Sequence, residues 1–524
     1  SSSGALHKLA LLAVLTMANS AVAASSAPLP IAATASDNDG HPTISMMAAG
    51  RAIGGHFGAY DIDSTGARST SGLELSSRMT LQIRADSGSR FGAYQLEGKL
   101  ATDVARGFWM HPTVAAGEFM PGRGLDAFLP TDAWFGVRKG NSFQFRIGQM
   151  TSNWGLGLLA NDGRAYLDQR QSDWFVRSET GDRVLRAMAI WRPLADSPSR
   201  LRGLVLSAAI DRVVADDILM RRDNQAQNFA DLNQEEQAIQ GILASRLYVS
   251  KKSWFGLYYV FRDQRHDDGK SLRVHTVDLA ADLSGRLPFG HLRVRGETVF
   301  ITGKTTLSPS PDHPEHEVRQ AAIAAQGRLD ISRLRLELDL AWFSGDNNFD
   351  DGYLTQFKAD PNYQLGMLLF PRIMASWTGR ARRTASNPAV VGKPNEDLER
   401  FATKGSVSSV MALFPKVGVR LPANVELYAG ALIAIAPTPI ADPFHTKTEG
   451  GGEAYNAMNQ PAGNDYGIEL DFGARWHTNI DPVHALTIGV EAGLLLPGSA
   501  LAGLNDTIHG ARLTLAVTPF GGRK

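Results

Sequence analysis

Arginine and carboxylate residues recur at every second position in several segments of this chain, and that spacing limits the chemistry open to them. In Ile331–Trp342, Arg333, Arg335, Glu337 and Asp339 alternate with Leu334, Leu336, Leu338, Leu340 and Trp342. Residues two apart share one face of an extended strand, so one face is charged and the other is hydrocarbon. The same pattern carries Arg78 and Arg84 in 73–85, Arg146 in 143–147, and Arg293, Arg295 and Glu297 in 291–300. It returns with Glu469, Asp471 and Arg475 in 467–477, Glu491 in 485–494 and Arg512 in 511–520. So many ionised groups cannot enter a dry core unpartnered. They suit the wall of a water-filled tube whose outer surface meets lipid. Both signs interleave along each charged face, which leaves two arrangements open. One is a network of ion pairs stiffening the wall; the other is a basic constriction that selects anions.

Other chemistries lack their spacing. The chain has 13 histidines, but none lies in His-Glu-x-x-His, and there is no Gly-x-Ser-x-Gly, Walker A or dinucleotide fingerprint. No enzyme is expected, and an outer-membrane hydrolase ranks behind the other functions. Asp312-His313-Pro314-Glu315-His316-Glu317 and Asp346-Asn347-Asn348-Phe349-Asp350-Asp351 gather ligand types. Neither keeps zinc or calcium spacing, so no metal and no cofactor are expected. A balance of 53 basic and 53 acidic residues argues against a nucleic-acid partner.

The elements that position the charged faces are short strands joined by links of two kinds. Short links fall at 86–90, 139–141, 193–200, 250–253, 284–290, 329–332, 421–424 and 479–483. Long ones fall at 62–72, 106–130, 151–182, 213–237, 264–270, 302–316, 344–405, 437–464 and 498–508. Long and short alternate, with 264–270 a weak member of the long set. A membrane barrel has this asymmetry, with short periplasmic turns and long extracellular loops. Nine long and eight short links imply about 18 strands, with both termini periplasmic. The fold class is therefore all-β: a single closed antiparallel up-and-down transmembrane β-barrel over 43–520.

The longest link is too large and too apolar to be a free loop. In 344–405, the stretch Tyr363–Arg382 is rich in Leu, Met, Phe and Trp. It is expected to fold into or over the barrel, with Phe370, Arg372, Trp377, Arg380, Arg382 and Arg383 at a constriction. The alternative is an extra strand pair. Segment 151–182, with Trp154, Tyr166 and Trp174, is a second candidate lid.

The amino end reads as an export signal over 1–23. His7 and Lys8 precede the apolar run Leu9–Met17, and Ala21-Val22-Ala23 fits a cleavage site. Residues 24–42 read as a disordered lead-in, too short to fold into a plug domain. The absence of cysteine suits passage through an oxidising periplasm.

The segment Arg146-Ile-Gly-Gln-Met-Thr-Ser-Asn-Trp-Gly-Leu-Gly-Leu-Leu-Ala-Asn-Asp-Gly163 is the most individual in the chain. It resembles large barrels of myxobacteria-like Gram-negatives and, distantly, the alginate-export group of 18-stranded channels. Over nearly its whole length the chain looks like a Gram-negative outer-membrane barrel of porin type. The resemblance implies a channel for passive passage of ions or small polar solutes across the outer membrane. The alternative is a structural or surface-interaction barrel with an occluded lumen. The implied partners are the outer-membrane bilayer and small solutes; porin-type barrels admit homo-oligomers, though no segment marks a subunit interface.

Overall fold

The computed structural model describes residues 42–64, 66–69, 72–88, 91–109, 127–167, 173–179, 181–219, 235–379, 396–448, 453–481 and 484–519. The expected signal, 1–23, and the expected lead-in, 24–42, up to residue 41, lie outside the described residues, as do Arg380, Arg382 and Arg383. Eighteen strands form the wall: β1 (Thr43–Phe57), β2 (Gly72–Asp86), β3 (Tyr94–Trp109), β4 (Ala127–Lys139), β5 (Phe143–Thr151), β6 (Arg183–Trp191), β7 (Leu204–Ala215), β8 (Glu236–Ser250), β9 (Ser253–His266), β10 (Ser271–Leu287), β11 (Gly290–Thr305), β12 (His316–Ile331), β13 (Leu334–Phe343), β14 (Val410–Arg420), β15 (Val425–Ile435), β16 (Asp465–Asn479), β17 (His484–Pro497) and β18 (Ile508–Pro519). Each pairs antiparallel with its sequence neighbours. The sheet closes where β1 pairs with β18, from Gly50↔Val517 to Phe57↔Gly510. Among the described residues no extra strand pair stands between β13 and β14; there a two-residue strand, Tyr353–Leu354, runs parallel to the start of β12.

The hydrocarbon faces turn outward. In β13, Leu334, Leu336, Leu338, Leu340 and Trp342 are exposed, while Arg335, Glu337, Asp339, Ala341 and Phe343 are buried. Elsewhere Phe135, Phe145, Ile147, Leu257, Phe472, Val490 and Leu513 are likewise exposed. Charges turn inward and pair. Arg78 meets Asp103 at 2.5 Å, Arg186 meets Asp211 at 2.7 Å, and Lys416 lies between Glu337 (3.2 Å) and Asp339 (2.8 Å). This inverts a soluble protein and matches a barrel whose surroundings are lipid.

The links sort by end, with two departures. The link 192–203 on the short-link side has twelve residues, whereas 267–270 on the other side is a tight turn. Arg333 departs as well. It was expected on the inner wall with Arg335, but it sits in the two-residue turn between β12 and β13 and is exposed. Residue parity alone cannot tell a strand's last rung from the turn that follows it.

One part of the interior is filled. Trp174 and Phe175 from link 152–182 pack with Leu365, Leu368, Phe370, Ile373 and Trp377 from link 344–409, against the wall residues Phe414, Tyr428 and Tyr466. The barrel's apolar core thus lies within the tube and is built by its loops.

Candidate functional site

The two inward links are held by the same device. On β11, the Glu297 carboxylate accepts the backbone N–H groups of Leu156, Gly157 (3.0 Å) and Leu158 (3.2 Å). On β16, the Glu469 carboxylate accepts those of Met367, Leu368 (2.8 Å) and Leu369 (2.8 Å). A glycine with positive φ leads each trio, Gly155 (+56°) and Gly366 (+73°). A left-handed residue followed by consecutive inward N–H groups makes a cradle for an anion. At Gly366 a Cβ would stand 2.7 Å from the Glu469 carboxylate, and at Gly155 one would collide with Glu297, so both positions need glycine for backbone and for space.

Wall glycines also seat the aromatic rings. Trp154 lies over Gly256, and Trp174 lies over Gly418. The Trp154 indole donates to Asp278 (3.1 Å), and the Trp174 indole donates to Glu426 (3.2 Å). The links then join each other. Gln364 exchanges two hydrogen bonds with the Arg177 backbone (2.8 and 2.7 Å), and Asn362 accepts the Glu179 N–H at 2.6 Å.

Below this floor, on the short-link side, lies a cavity of about 1740 Å³. Its floor is Asn362, Tyr363, Gln364 and Leu365; its mouth includes Arg200, Arg202, Lys251 and Lys252. Thirteen arginines and lysines line it against five aspartates. The ion pairs leave much of that charge in place, because cations share carboxylates. Arg84 (3.4 Å) and Arg146 (3.0 Å) share Glu97, and Lys99 (3.1 Å) and Arg164 share Asp132. At the floor, Arg295 holds Asp173 at 3.0 Å. Burial would raise the Asp173 carboxyl, but Arg295, with Lys416 and Arg328 behind it, overrides this and holds it well below the usual carboxylate range.

The opposite side of the floor is acidic. Asp182 and Asp360 lie near Asp216 and Asp217, with Arg262 on Asp216 (2.5 Å) and Lys358 on Asp217 (2.9 Å). Burial, then the neighbouring aspartates, pushes the Asp182 and Asp360 carboxyls well above their usual range.

The expected wall residues therefore divide. Arg84, Arg146, Arg293, Arg295 and Asp339 border the cavity. Arg78, Glu297, Arg335, Glu337, Glu469, Asp471, Arg475, Glu491 and Arg512 face inward, but most are covered by the inward links. Glu491, for example, is clasped by Arg475 (3.0 Å), Arg512 (2.6 Å) and the Tyr428 hydroxyl (2.7 Å). The expected constriction residues Phe370, Arg372 and Trp377 are buried in the loop core. Arg372 stacks on Phe57, and the Trp377 indole donates to the Asp61 carbonyl at 3.2 Å. The cavity takes its floor from the residues just before them.

No known protein-family model matches the chain, and no curated protein matches it in sequence. Among solved structures, Pseudomonas aeruginosa OccK9 (OpdG) superposes with a TM-score of 0.48 at 13% identity, covering 91% of this chain and 98% of its own. A BenF-like porin from Pseudomonas fluorescens Pf-5 gives 0.47 at 8% identity, over 91% and 99%. Pseudomonas aeruginosa OccK2 (OpdF), solved in complex with glucuronate, gives 0.46 at 11% identity, over 91% and 98%. These likenesses concern the fold.

Sequence reasoning missed Arg186, Arg192, Arg246, Asp173 and Lys252, which also line the cavity. On β6 and β8 the inward rungs beside Arg186 and Arg246 are Met188, Ile190 and Ile242, which are buried and apolar. No alternation of charge marks that sector. Asp173 lies in a link, where parity carries no information. The lysine pair 251–252 in a two-residue turn was the one available signal.

Proposed function

We propose that this chain is an outer-membrane channel for passive, non-enzymatic passage of ions and small polar solutes, with a preference for anions. The lining of the 1740 Å³ cavity carries this reading. Thirteen cationic side chains face five aspartates there, and sharing of Glu97 and Asp132 leaves local positive charge unspent. A confined cationic passage concentrates small anions and repels cations. This supports the basic constriction over a neutral pairing network. The network is present too, on the covered part of the wall around Glu491 and Lys416.

The lipid-facing exterior supports placement in a bilayer, and the distribution of links supports long loops outside and short turns in the periplasm. The resemblance of the Asn-Trp-Gly-Leu-Gly stretch to alginate-export channels fits the same reading and adds no solute to it. A barrel with an occluded lumen is the second reading, favoured by the loop core that fills part of the tube.

Solute uptake into liposomes separates the two. With purified full-length chain, swelling is expected in isotonic small carboxylates and to be faster there than in amines of equal size. No swelling in any solute would favour the occluded barrel, and faster entry of amines would overturn the anion preference.

A further inference from the structure

A second charged surface lies outside the barrel, and passage through the lumen makes no use of it. The strand register sets Arg212 of β7 beside Ile239 of β8, Ile239 beside Asp263 of β9, and Asp263 beside Arg273 of β10. It continues with Arg273 beside Lys304 of β11, and Lys304 beside Glu317 of β12. These residues form one rung across six strands. Arg265 stands one outward position above it on β9, and Arg319 one below it on β12. The side chains point away from the lumen. Arg265, Arg273, Lys304 and Arg319 are 66, 59, 67 and 56% exposed, whereas the alternate residues Arg262 and Thr276 are buried.

The rung sits where the hydrocarbon face ends. Beneath it the outward residues are Phe261, Val277, Phe300 and Ile323, all exposed. A cation at this height is level with lipid headgroups, with acyl chains below it. The charge does not continue onto the neighbouring strands β13–β17. On β13–β17 the outward residues at the same end are Trp342, Met411, Ile435, Ile468 and Leu496, apolar and exposed.

Five cations stand on the outward rungs of this sector among the carboxylates Asp263, Glu315 and Glu317, and the turn above them adds Asp267, Asp268 and Lys270. Asp263 orients both Arg265 (2.9 Å) and Arg273 (3.2 Å), Glu315 orients Lys304 (2.6 Å), and Glu317 orients Arg319 (2.8 Å). Each guanidinium offers five N–H donors, more than one carboxylate accepts. Exposed pairs of this kind are weak in water, so they hold the cations in position without consuming them. Planar guanidiniums spaced along a rung suit phosphate oxygens.

We propose that the β7–β12 sector of the extracellular rim docks a phosphorylated glycolipid of the outer leaflet. Its phosphates meet Arg273, Lys304 and Arg319, and its acyl chains lie along Phe261, Phe300 and Ile323. The proposal rests on the outer-membrane orientation above and not on conduction.

The test uses the full-length barrel in detergent, with bound lipid counted by native mass spectrometry. The probes are bis-phosphorylated lipid A and the same lipid stripped of its phosphates. Retention is expected to fall about ten-fold or more on dephosphorylation, and as far in the Arg273→Gln, Lys304→Gln double variant. Lys139→Gln, a single charge removed at the opposite end, should retain lipid as the unaltered chain does. Heat-shifted gel mobility checks that each variant is closed, and Lys304→Arg should keep binding. Equal retention of both lipids, or an undiminished double variant, overturns the proposal. So does displacement of lipid A by an equal concentration of inorganic phosphate, which would mark a free-anion site. An unaltered chain that conducts but retains no lipid A counts against the docking surface alone; one that retains lipid A but does not conduct counts against the channel alone.

Discussion

The Glu469 carboxylate accepts the Leu368 backbone N–H at 2.8 Å, joining the barrel wall to the middle of its longest link. Glu297 does the same for Gly157 at 3.0 Å. Two loops, from different parts of the sequence, are thus latched by one glutamate each to wall strands five apart in the barrel, β11 and β16.

Replacing Glu469 or Glu297 by Gln should loosen the corresponding link. The amide keeps one acceptor oxygen but turns an N–H group toward N–H donors. A hydrogen bond to a charged acceptor contributes about 1.5–3 kcal/mol, so losing even one shifts the link toward its undocked state. Single-channel recordings should show a larger, noisier current for either variant. Currents that match the unaltered chain would mean that these latches do not set the passage.

Gly366→Ala tests the same device through the backbone. Its φ of +73° costs an L-residue about 1–2 kcal/mol, and the added methyl meets Glu469. Hydrogen exchange over 365–369 should quicken while strand β16 stays protected. Unchanged exchange would show that the cradle tolerates a side chain.

Arg295→Gln should reduce anion preference and free Asp173. In the unaltered chain the Asp173 carboxyl is held below its usual range. The pair's contribution is therefore present above the ordinary carboxylate pKa and is lost only as pH falls toward the depressed value. Asp173 itself should then add no pH dependence to the zero-current potential between pH 8 and pH 6. In Arg295→Gln the potential should shift toward cations at pH 8 and recover toward anions on acidification, as Asp173 takes up a proton.

The link around Asp346 should respond to pH with the opposite sign. Its carboxylate accepts the N–H groups of Asn348 (3.0 Å) and Thr355 (2.9 Å), yet burial pushes its pKa up to about 6. The folded link then keeps a proton that the open chain has released. Docking is strongest below the ordinary carboxylate pKa, weakens as pH rises to about 6, and is level above it. Hydrogen exchange over 344–357 should be slower at pH 5 than at pH 7.5 after correction for the intrinsic rate. Asp346→Asn should flatten the difference.

The barrel was legible because alternation and link length are both one-dimensional signals. The rungs of β13 and the strand total follow from them directly, since each outward leucine implies an inward neighbour. The interior was legible only in part. Parity places Glu469 and Glu297 on the inner wall, but nothing in their spacing says that Leu368 and Gly157 will cover them. Which inward charges meet water depends on where 152–182 and 344–409 settle. That is decided by contacts between residues far apart in sequence, such as Gln364 with Arg177. Arg333 shows a smaller limit, because a strand's end is invisible to period-two reasoning.

The most direct measurement is the zero-current potential of single channels formed by the purified full-length chain in a planar bilayer under a salt gradient. Discrete conductance steps with a potential of the sign set by anion flow are expected from the cation-lined cavity. A chain that conducts in neither its unaltered form nor as Glu297→Gln, Glu469→Gln would contradict the channel itself. A potential of the opposite sign would contradict the role given to its lining.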